Sequence, residues 1–420
     1  MNLTVKDIQR IWINLPFREV ARRNMIRELP HWTIIELCQV TLECGVTGIG
    51  ETMPFYTWGE VTDEAVQRTL GKPATEMMWD DTLGSGLQMA LFDAVGKAND
   101  VPLHHFLGQQ VRQDAAISWW SIEMPLEDWL SECRTALSNG YTSYKYKARP
   151  WFDLDAHVAA ISKEMPSYFD IDLDFNTMCC DSAHAVRVLR KLERFERIKI
   201  FESPIPQADV AGNKYLRSQT NVPIAMHVGN PPLTTALHED VCDGFVLNGG
   251  ATQLMHEARN IAQANKVFWY QLVGSGLTAV WSFHFAAVSS HARWPAVCCH
   301  NLYEHALLKE PLQVAGGYAA IPTEPGLGIE IDWDVVERCR IERIDKPYPH
   351  PDLLIRVSWP SGAEEFYAHG LQYWEDFHNG RRPIFAPGVD MQVIPDDGSE
   401  EWQKQYELAC LKPSWVMKDN

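Results

Sequence analysis

The sequence has no excess of positive charge and none of the segments that mark a secreted or membrane protein. Its formal net charge is −18, and it contains no run of five or more Lys and Arg residues, which argues against nucleic-acid binding. No stretch approaches the roughly 18 uncharged apolar residues of a membrane-spanning helix. The first residues lack a basic segment followed by a long apolar one, so they do not form a signal peptide. We therefore expect a soluble cytoplasmic protein that binds neither membranes nor nucleic acids.

The sequence also lacks cysteine and glycine motifs of known chemistry. The 10 cysteines include no CxxC or Cys/His finger spacing, and the adjacent pairs Cys179/Cys180 and Cys298/Cys299 are poorly placed for ordinary disulfides. We expect reduced thiols. The glycines of GVTGIGE do not follow the GxGxxG spacing of a phosphate-binding loop, and they lie between two predicted strands. A hairpin turn is the better interpretation of this segment.

A repeated unit is present between residues 144 and 272. Each copy has a short apolar, β-prone run that ends on a polar residue, and a helical stretch follows. The polar ends recur about every 21 to 28 positions, the length of one strand, one helix and two loops. They are Lys145 and Lys147, Asp174 and Asn176, Glu202, His227, Asn248 and Gln271. In a closed (β/α)₈ barrel the carboxyl ends of all strands open on one face, so these side chains are expected to converge.

The sequence on either side of the repeat differs in character. Residues 1–120 contain alternating β-branched runs, a glycine-bearing reversal and two amphipathic helical stretches, which predict an α+β domain. Residues 121–342 hold the repeat. Residues 343–420 are rich in Pro, Trp and charge, and we expect an ordered extension that wraps on the surface or on a partner subunit.

Several strings resemble the enolase superfamily, in its branch of mandelate racemase and muconate lactonizing enzyme. GVTGIGE resembles the family's GxxGxGE turn, and YKYKA matches its KxK strand. LDFN and FESP match its DxN and ExP patterns, and VAGGYAAIPTEPGLGIEID matches its closing segment. The strings follow the family's order between about residues 5 and 335. The resemblance implies an α/β fold: a modified TIM barrel, (β/α)₇β, with an N-terminal α+β capping domain and, here, a C-terminal extension.

The resemblance implies a Mg²⁺ site with Asp174 and Glu202 as the first two ligands. Mg²⁺ prefers oxygen ligands, and a divalent ion offsets the charge of an enediolate that forms when a proton is removed next to a carboxylate. Where the family has a third acidic ligand, this chain has His227 and Val228. Histidine suits Zn, Mn or Fe(II) better than Mg²⁺, so His227 is either a ligand of a changed metal or a hydrogen-bond partner of the substrate.

The resemblance further implies a lysine base, and Lys147 fits that role. Lys145 lies two positions away on the same strand face, where its charge would lower the proton affinity of Lys147. Asn176 ends the DxN pattern and is expected to contact the substrate. Arg149 follows in the same segment, where it either binds a second acidic group of the substrate or forms a surface salt bridge.

On the opposite wall the family uses a His held by an Asp, or a second Lys, whereas this chain has Asn248 and Gln271. Amides do not titrate near neutral pH, so both are assigned to substrate binding and a two-base racemisation is not favoured. His300, at the end of the expected eighth strand, is a further candidate for substrate binding or for an acid, and Tyr270 is another for the acid. Loop residues that either reach the substrate or face solvent are Arg18, Tyr56 and Trp58.

These residues predict an enzyme, a lyase or isomerase that acts on a carboxylate by metal-assisted proton abstraction with Lys147 as base. An acid-sugar dehydratase is favoured, because dehydration can proceed with one base. The alternative is a catalytically impaired homologue that still binds an acidic small molecule. A homo-oligomer is also expected.

Overall fold

The computed structural model describes residues 1–56, 59–381 and 384–417. Its N-terminal part is an antiparallel sheet covered by helices. The strands are β1 (Val5–Asn14), β2 (Ile34–Leu42) and β3 (Thr47–Thr52), and the helices are α1 (Glu19–Met25), α2 (Asp63–Thr69), α3 (Ala74–Met77), α4 (Ser85–Ala98) and α5 (His104–Leu107). The predicted strand meander and the two predicted amphipathic helices correspond to β1 to β3 and to α2 and α4.

The glycines of the β2–β3 hairpin allow α4 to lie directly on the sheet. A Cβ atom on Gly48 would come within 2.1 Å of the Ala90 carbonyl oxygen, and one on Gly50 within 2.2 Å of the Gly86 oxygen. At these distances any side chain would push the helix away from the strand. The same strand carries Glu51, whose carboxylate accepts the backbone N–H groups of Ser275 and Thr278, each at 2.8 Å. This bond set ties the N-terminal sheet to the rest of the chain.

A curled parallel sheet of seven strands follows a short strand, β4 (Asp114–Ala116). Its strands are β5 (Trp119–Ser121), β6 (Ser143–Lys147), β7 (Asp170–Asp174), β8 (Ile198–Glu202), β9 (Ile224–His227), β10 (Gly244–Leu247) and β11 (Val267–Tyr270). Each is followed by a helix: α6 (Leu126–Ser138), α7 (Leu154–Glu164), α8 (Ser182–Leu192), α9 (Val210–Arg217), α10 (Leu233–Glu239), α11 (Ala251–Gln263) and α12 (Gly276–Val288). The sequence sets the start of three of these helices, because Asp153, Asp181 and Asp209 each accept a backbone N–H in the first turn of α7, α8 and α9.

The segment 296–298 closes the sheet into a barrel. The N–H of Ser118, directly before β5, donates to the Ala296 carbonyl at 2.9 Å, and the Val297 N–H donates to the Tyr270 carbonyl of β11 at 3.0 Å. The segment therefore bridges the two ends of the parallel sheet, which is the place of an eighth strand. The predicted modified TIM barrel, (β/α)₇β, with an N-terminal α+β cap and a C-terminal extension, is confirmed. The boundaries at residues 120 and 342 stay a prediction.

The C-terminal extension has a sheet and a core of its own. After β12 (Val314–Ala315), β13 (Tyr318–Ala320) and α13 (Trp333–Cys339), β14 (Arg340–Ile341) pairs with β1. Then β15 (Leu354–Ser358), β16 (Ala363–Tyr367), β17 (Asp390–Ile394) and β18 (Ser414–Met417) form an antiparallel sheet with α14 (Gly370–His378) and α15 (Glu400–Leu411). The expectation of an ordered segment holds. Its apolar side chains pack against Trp151, Phe152 and Met178 of the barrel. Among the described residues, none of the helices is long and apolar enough to cross a membrane.

A buried polar network joins the N-terminal part, the barrel and the extension. One Arg27 N–H group lies 3.2 Å from Glu123 Oε1 and 3.3 Å from the Tyr373 hydroxyl, which in turn donates to Glu28 at 2.6 Å. Burial raises the pKa of Glu123 to about 8, with help from the Glu28 charge and against the pull of Arg27. Glu123 therefore carries a proton in the folded protein at pH values where the unfolded chain would have released it.

Glu123→Gln is expected to change how stability depends on pH. Because the folded pKa lies above the unfolded value, the contribution of Glu123 is complete below about pH 4.5 and is lost as the pH rises towards 8. Relative to E123Q, the wild type should lose up to about 1.4 kcal/mol of unfolding free energy per pH unit in this window. Denaturant titrations at pH 5 to 8 measure this. Glu127→Gln, at an exposed position on α6, is the control, and parallel pH profiles of wild type and E123Q would contradict the assignment.

Candidate active site

Polar side chains from five barrel strands meet at the carboxyl ends of the strands, as predicted. Alternation along each strand directs every second side chain into the barrel, and the register of β6 on β7 sets Lys145 beside Asp172 and Lys147 beside Asp174. The side chains joined by direct contacts are Lys145, Lys147, Asp174, Asn176, Glu202, His227 and Gln271.

Lys145 lies at the centre of this cluster with no exposed side-chain surface. Its Nζ atom is 2.5 Å from Glu202 Oε2 and 3.4 Å from Asp174 Oδ2, and it donates to Gln271 Oε1 at 2.6 Å. The ammonium group thus makes one hydrogen bond, to Gln271, and two ion pairs, with Glu202 and Asp174. Burial alone would lower the pKa of Lys145, but the Glu202 and Asp174 carboxylates raise it above its usual value. Lys145 is therefore a fixed cation.

Lys147 is the more accessible amine, with 15% of its side chain exposed. It donates to Asp174 Oδ2 at 2.6 Å and to Asn176 Oδ1 at 2.8 Å. The other oxygen of Asp174 accepts the Asn176 N–H at 3.0 Å. Burial would raise the pKa of Asp174, but the Lys147 and Lys145 charges hold it well below its usual range. Asp174 is ionised, and it fixes the direction of the amine.

His227 contacts the second carboxylate of the cluster. Its Nε2 atom is 3.0 Å from Glu202 Oε1, so the two oxygens of Glu202 face His227 and Lys145 respectively. The imidazole is partly exposed, at 28% of its side-chain surface. The structure thus places His227 on the rim of the mouth, where its ring is turned towards a carboxylate.

The donor set fits a divalent metal only in part. Asp174 and Glu202 are two fully buried carboxylates on neighbouring strands, the kind of oxygen ligands that Mg²⁺ prefers. Across residues 1–56, 59–381 and 384–417, however, no group of three His, Cys, Asp or Glu side chains is arranged to hold a metal ion. An ion at the two carboxylates would take its other ligands from water and from a substrate carboxylate.

Arg149 is placed differently from either expectation. Only 4% of it is exposed, and it donates to Asn176 Oδ1 at 2.9 Å and to the carbonyl of Ala148 at 3.2 Å. Its Nε atom lies 3.7 Å from Glu123 Oε2. Because almost all of its surface is covered, the Arg149 guanidinium forms no surface salt bridge and is not open to a substrate.

The remaining predicted residues lie at varying distances from the cluster. Asn248 directly follows β10 at the rim and is partly exposed. His300 turns away from the barrel interior after Cys299, and its Nε2 atom is 2.7 Å from the Tyr141 hydroxyl; burial lowers the pKa of His300 to about 4. Tyr270 faces the helical layer, with its hydroxyl 2.7 Å from Ser289 Oγ.

Of the predicted N-terminal loop residues, Arg18 and Tyr56 contact residues outside the cluster. Arg18 is pinned to the barrel, since its guanidinium donates to both carboxylate oxygens of Glu132, at 3.0 and 2.7 Å. Tyr56 packs edge-on against Trp32 with ring centroids 4.7 Å apart. Trp58 lies outside the described residues.

One buried acid of the barrel interior was missed from the sequence. Asp172 lies beside Lys145 across β6 and β7, and burial raises its pKa to about 8 while Lys145 opposes the shift. The signal was available in the string DIDLD, because every second residue of a strand shares a face. The Trp269 ring, 5.2 Å from Lys145 Nζ, was also missed, since an aromatic residue in a buried strand reads as ordinary core.

Comparison with known proteins supports the same architecture. Residues 128–335 match the family described as Enolase C-terminal domain-like. Muconate cycloisomerase 1-2 of Acinetobacter lwoffii is 24% identical over 342 residues, which are 72% of this chain and 88% of that protein. D-gluconate dehydratase of Thermoproteus tenax is 23% identical over 305 residues, 66% of this chain and 60% of that protein.

A solved structure shares the fold over nearly the whole barrel. The crystal structure of muconate lactonizing enzyme from Pseudomonas fluorescens, complexed with muconolactone, superposes with a TM-score of 0.68 at 21% identity. The match covers 81% of this chain and 100% of that one. The relatives named here carry out different reactions, so the comparison supports a class of enzyme and leaves the substrate open.

Lys145→Met is expected to destabilise the protein by about 3 to 5 kcal/mol, because it leaves two buried carboxylates without their shared cation. Millimolar MgCl₂ should recover part of the loss in K145M, since a divalent ion can replace the ammonium. Denaturant unfolding with and without MgCl₂ measures both effects. Lys199→Met is the control, because Lys199 is half-exposed and 3.8 Å from Asp170, so its loss should cost less than about 1 kcal/mol. A K145M protein as stable as the wild type would contradict this account.

Proposed function

This chain belongs to the enolase superfamily, in the branch of mandelate racemase and muconate lactonizing enzyme, and from that premise we propose that it removes a proton from the carbon next to a carboxylate. The observation that carries the proposal is the difference in burial between the two lysines of β6. Lys145 is fully buried between Glu202, Asp174 and Gln271, whereas 15% of the Lys147 side chain is exposed. The substrate we propose is a sugar acid, and the reaction is a dehydration or a related isomerisation.

Lys147 is the base in this proposal. Its amine is held by Asp174 and Asn176 at hydrogen-bond distance, which directs the nitrogen while leaving part of the side chain accessible. A general base takes the proton on an accessible atom, and Lys147 is the lysine of β6 whose side chain is partly exposed. Lys145 cannot serve instead, because the Glu202 and Asp174 carboxylates raise its pKa above the usual value and keep it protonated.

Asp174 and Glu202 would hold Mg²⁺, with His227 at the edge of the site. The bound ion would offset the negative charge that develops on the two carboxylate oxygens of the substrate when the proton leaves. Glu202 is kept in place by Lys145 on one oxygen and by His227 on the other. Rotation about the side-chain bonds of His227 would offer the ion a ring nitrogen as a ligand. A transition metal would then be preferred over Mg²⁺.

The residues on the opposite wall favour dehydration over racemisation. Gln271 is committed to Lys145, and both Gln271 and Asn248 carry amides that cannot take up a proton near neutral pH. With one base, the carbon–hydrogen bond breaks towards Lys147 and the carbon–oxygen bond of the neighbouring hydroxyl breaks next. The leaving hydroxide takes a proton from the same ammonium and departs as water, which restores the base.

A second candidate function rests on the same substitutions. His227, Asn248 and Gln271 stand where the family resemblance implies an acidic ligand and a second base. A protein with these changes could keep the binding of an acidic small molecule while losing turnover. The two functions separate in one experiment, because a sugar acid that raises the melting temperature of the protein without being converted supports the second.

Lys147→Ala is expected to lower kcat by about 10²- to 10⁴-fold on any acid that the wild type converts, since the variant loses its general base. Lys147→Arg should be equally inactive, because a guanidinium keeps a positive charge beside Asp174 but stays protonated. Acid sugars are screened with added Mg²⁺, Mn²⁺ or Zn²⁺, and circular dichroism checks the fold. Lys163→Ala, at an exposed position on α7, is the control. Full activity of K147A would refute the assignment of the base.

A further inference from the structure

The C-terminal extension lies on the face of the barrel where the strands end. Helix α14 packs against Trp151, which follows β6, with ring-centroid distances of 4.6 Å to Tyr373 and 5.4 Å to Trp374. Further along, the Phe385 ring is 5.6 Å from Phe175, the residue that follows Asp174 at the end of β7. The extension therefore contacts the loops after the two strands that carry Lys147 and Asp174.

Backbone contacts hold the same segment in place. The Asp153 N–H donates to the Val389 carbonyl at 2.9 Å, and the Gly388 N–H donates to Asp153 Oδ2 at 2.7 Å. Asp153 is also the N-cap of α7. Asp153 thus ends the loop between β6 and α7, and it also anchors the extension to this loop.

A line of contacts leads from the extension to the base. The Trp374 ring covers the Arg149 guanidinium, whose carbon lies 5.1 Å from the ring centroid. Arg149 donates to Asn176 Oδ1 at 2.9 Å, and the same oxygen accepts from Lys147 Nζ at 2.8 Å. Asn176 is therefore held between a guanidinium that the extension covers and the amine that faces the substrate.

The position of Arg149 depends on the extension on more than one side. Its Nε atom faces Glu123 Oε2 at 3.7 Å, and the other oxygen of Glu123 faces Arg27 at 3.2 Å. The Tyr373 hydroxyl, from α14, is 3.3 Å from the same Arg27 nitrogen. Two neighbouring residues of α14 are therefore linked to Arg149: Trp374 covers its guanidinium, and Tyr373 is connected to it through Arg27 and Glu123.

We propose that the C-terminal extension is a working part of the active site, and that Trp374 is a positioning residue for Lys147 through Arg149 and Asn176. The inference rests on the proposed function in its use of Lys147 as base. Loss of the ring frees Arg149 to swing away from Asn176, and Lys147 then loses one of the two partners that direct its amine. Because Trp374 acts on the base only through Arg149 and Asn176, kcat is expected to change while KM changes little.

The test compares Trp374→Leu with Trp402→Leu. Both residues are tryptophans of the extension, but Trp402 stacks on Tyr406 with centroids 5.2 Å apart, in a separate apolar cluster. A displacement of the base of about 1 Å can cost on the order of 100-fold in rate, so W374L should lose about 10- to 100-fold in kcat with KM within about threefold. Trp374→Phe keeps an aromatic face over Arg149 and should retain most of the activity.

A second readout does not require any substrate. An amine-acetylating ester followed by peptide mass spectrometry gives the labelling rate of Lys147 relative to the exposed Lys163. Lys147 should react several-fold faster in W374L than in the wild type, and at the wild-type rate in W402L. Arg149→Lys, which keeps the charge but loses the planar fork, should reproduce the effect even if W374L fails to fold.

Unchanged labelling of Lys147 in both W374L and R149K would overturn the inference, and so would an equal loss of activity in W402L. Faster labelling of Lys147 in W374L and R149K, in a protein that converts no acid, would support the positioning role and reject the proposed function. The two claims therefore fail separately.

Discussion

The ammonium group of Lys145 has no exposed surface, so its charge has to be matched by acids within the barrel. Asp174 supplies that match from β7 and Glu202 from β8, and Gln271 accepts a hydrogen bond from across the mouth. Desolvation makes such a cluster costly unless every charge is paired, and breaking one pair leaves a buried charge behind. The ends of β6, β7 and β8 are therefore held in one arrangement by a single side chain. Lys147, Asn176 and His227 take their positions from the carboxylates that Lys145 fixes.

The parts outside the barrel act on that arrangement from two directions. The N-terminal sheet is fastened to the start of α12 by Glu51, which is buried and accepts two backbone N–H groups. The extension reaches the other side through Trp374 and Arg149. Between them, Arg27 and Glu123 connect the cap, the barrel and the extension in one network. The open face of the barrel is thus bordered by all three parts of the chain.

Much of the fold could be predicted from the sequence, because the polar strand ends and the Asp caps of α7 to α9 are local signals. The sheet of the extension was also within reach: LIRVS and AEEFY flank the turn string WPSG, a hairpin pattern that the richness in Pro and Trp obscured. The placement of Arg149 could not be predicted from the sequence, because it depends on Trp374, which is 225 positions away in the chain. His300 was misleading for a similar reason. The left-handed backbone at Cys299 turns the chain out of the barrel, and no local motif announces that turn.

The central claim is that Lys147 removes a proton from the carbon next to a carboxylate. Incubation of the protein with a sugar acid and Mg²⁺ in D₂O, followed by proton NMR, measures this step whether or not a product is released. The account predicts that the signal of the proton next to the carboxylate, in the remaining acid or in its product, disappears with wild-type protein and persists with K147R. Exchange that proceeds at the same rate in K147R would contradict it.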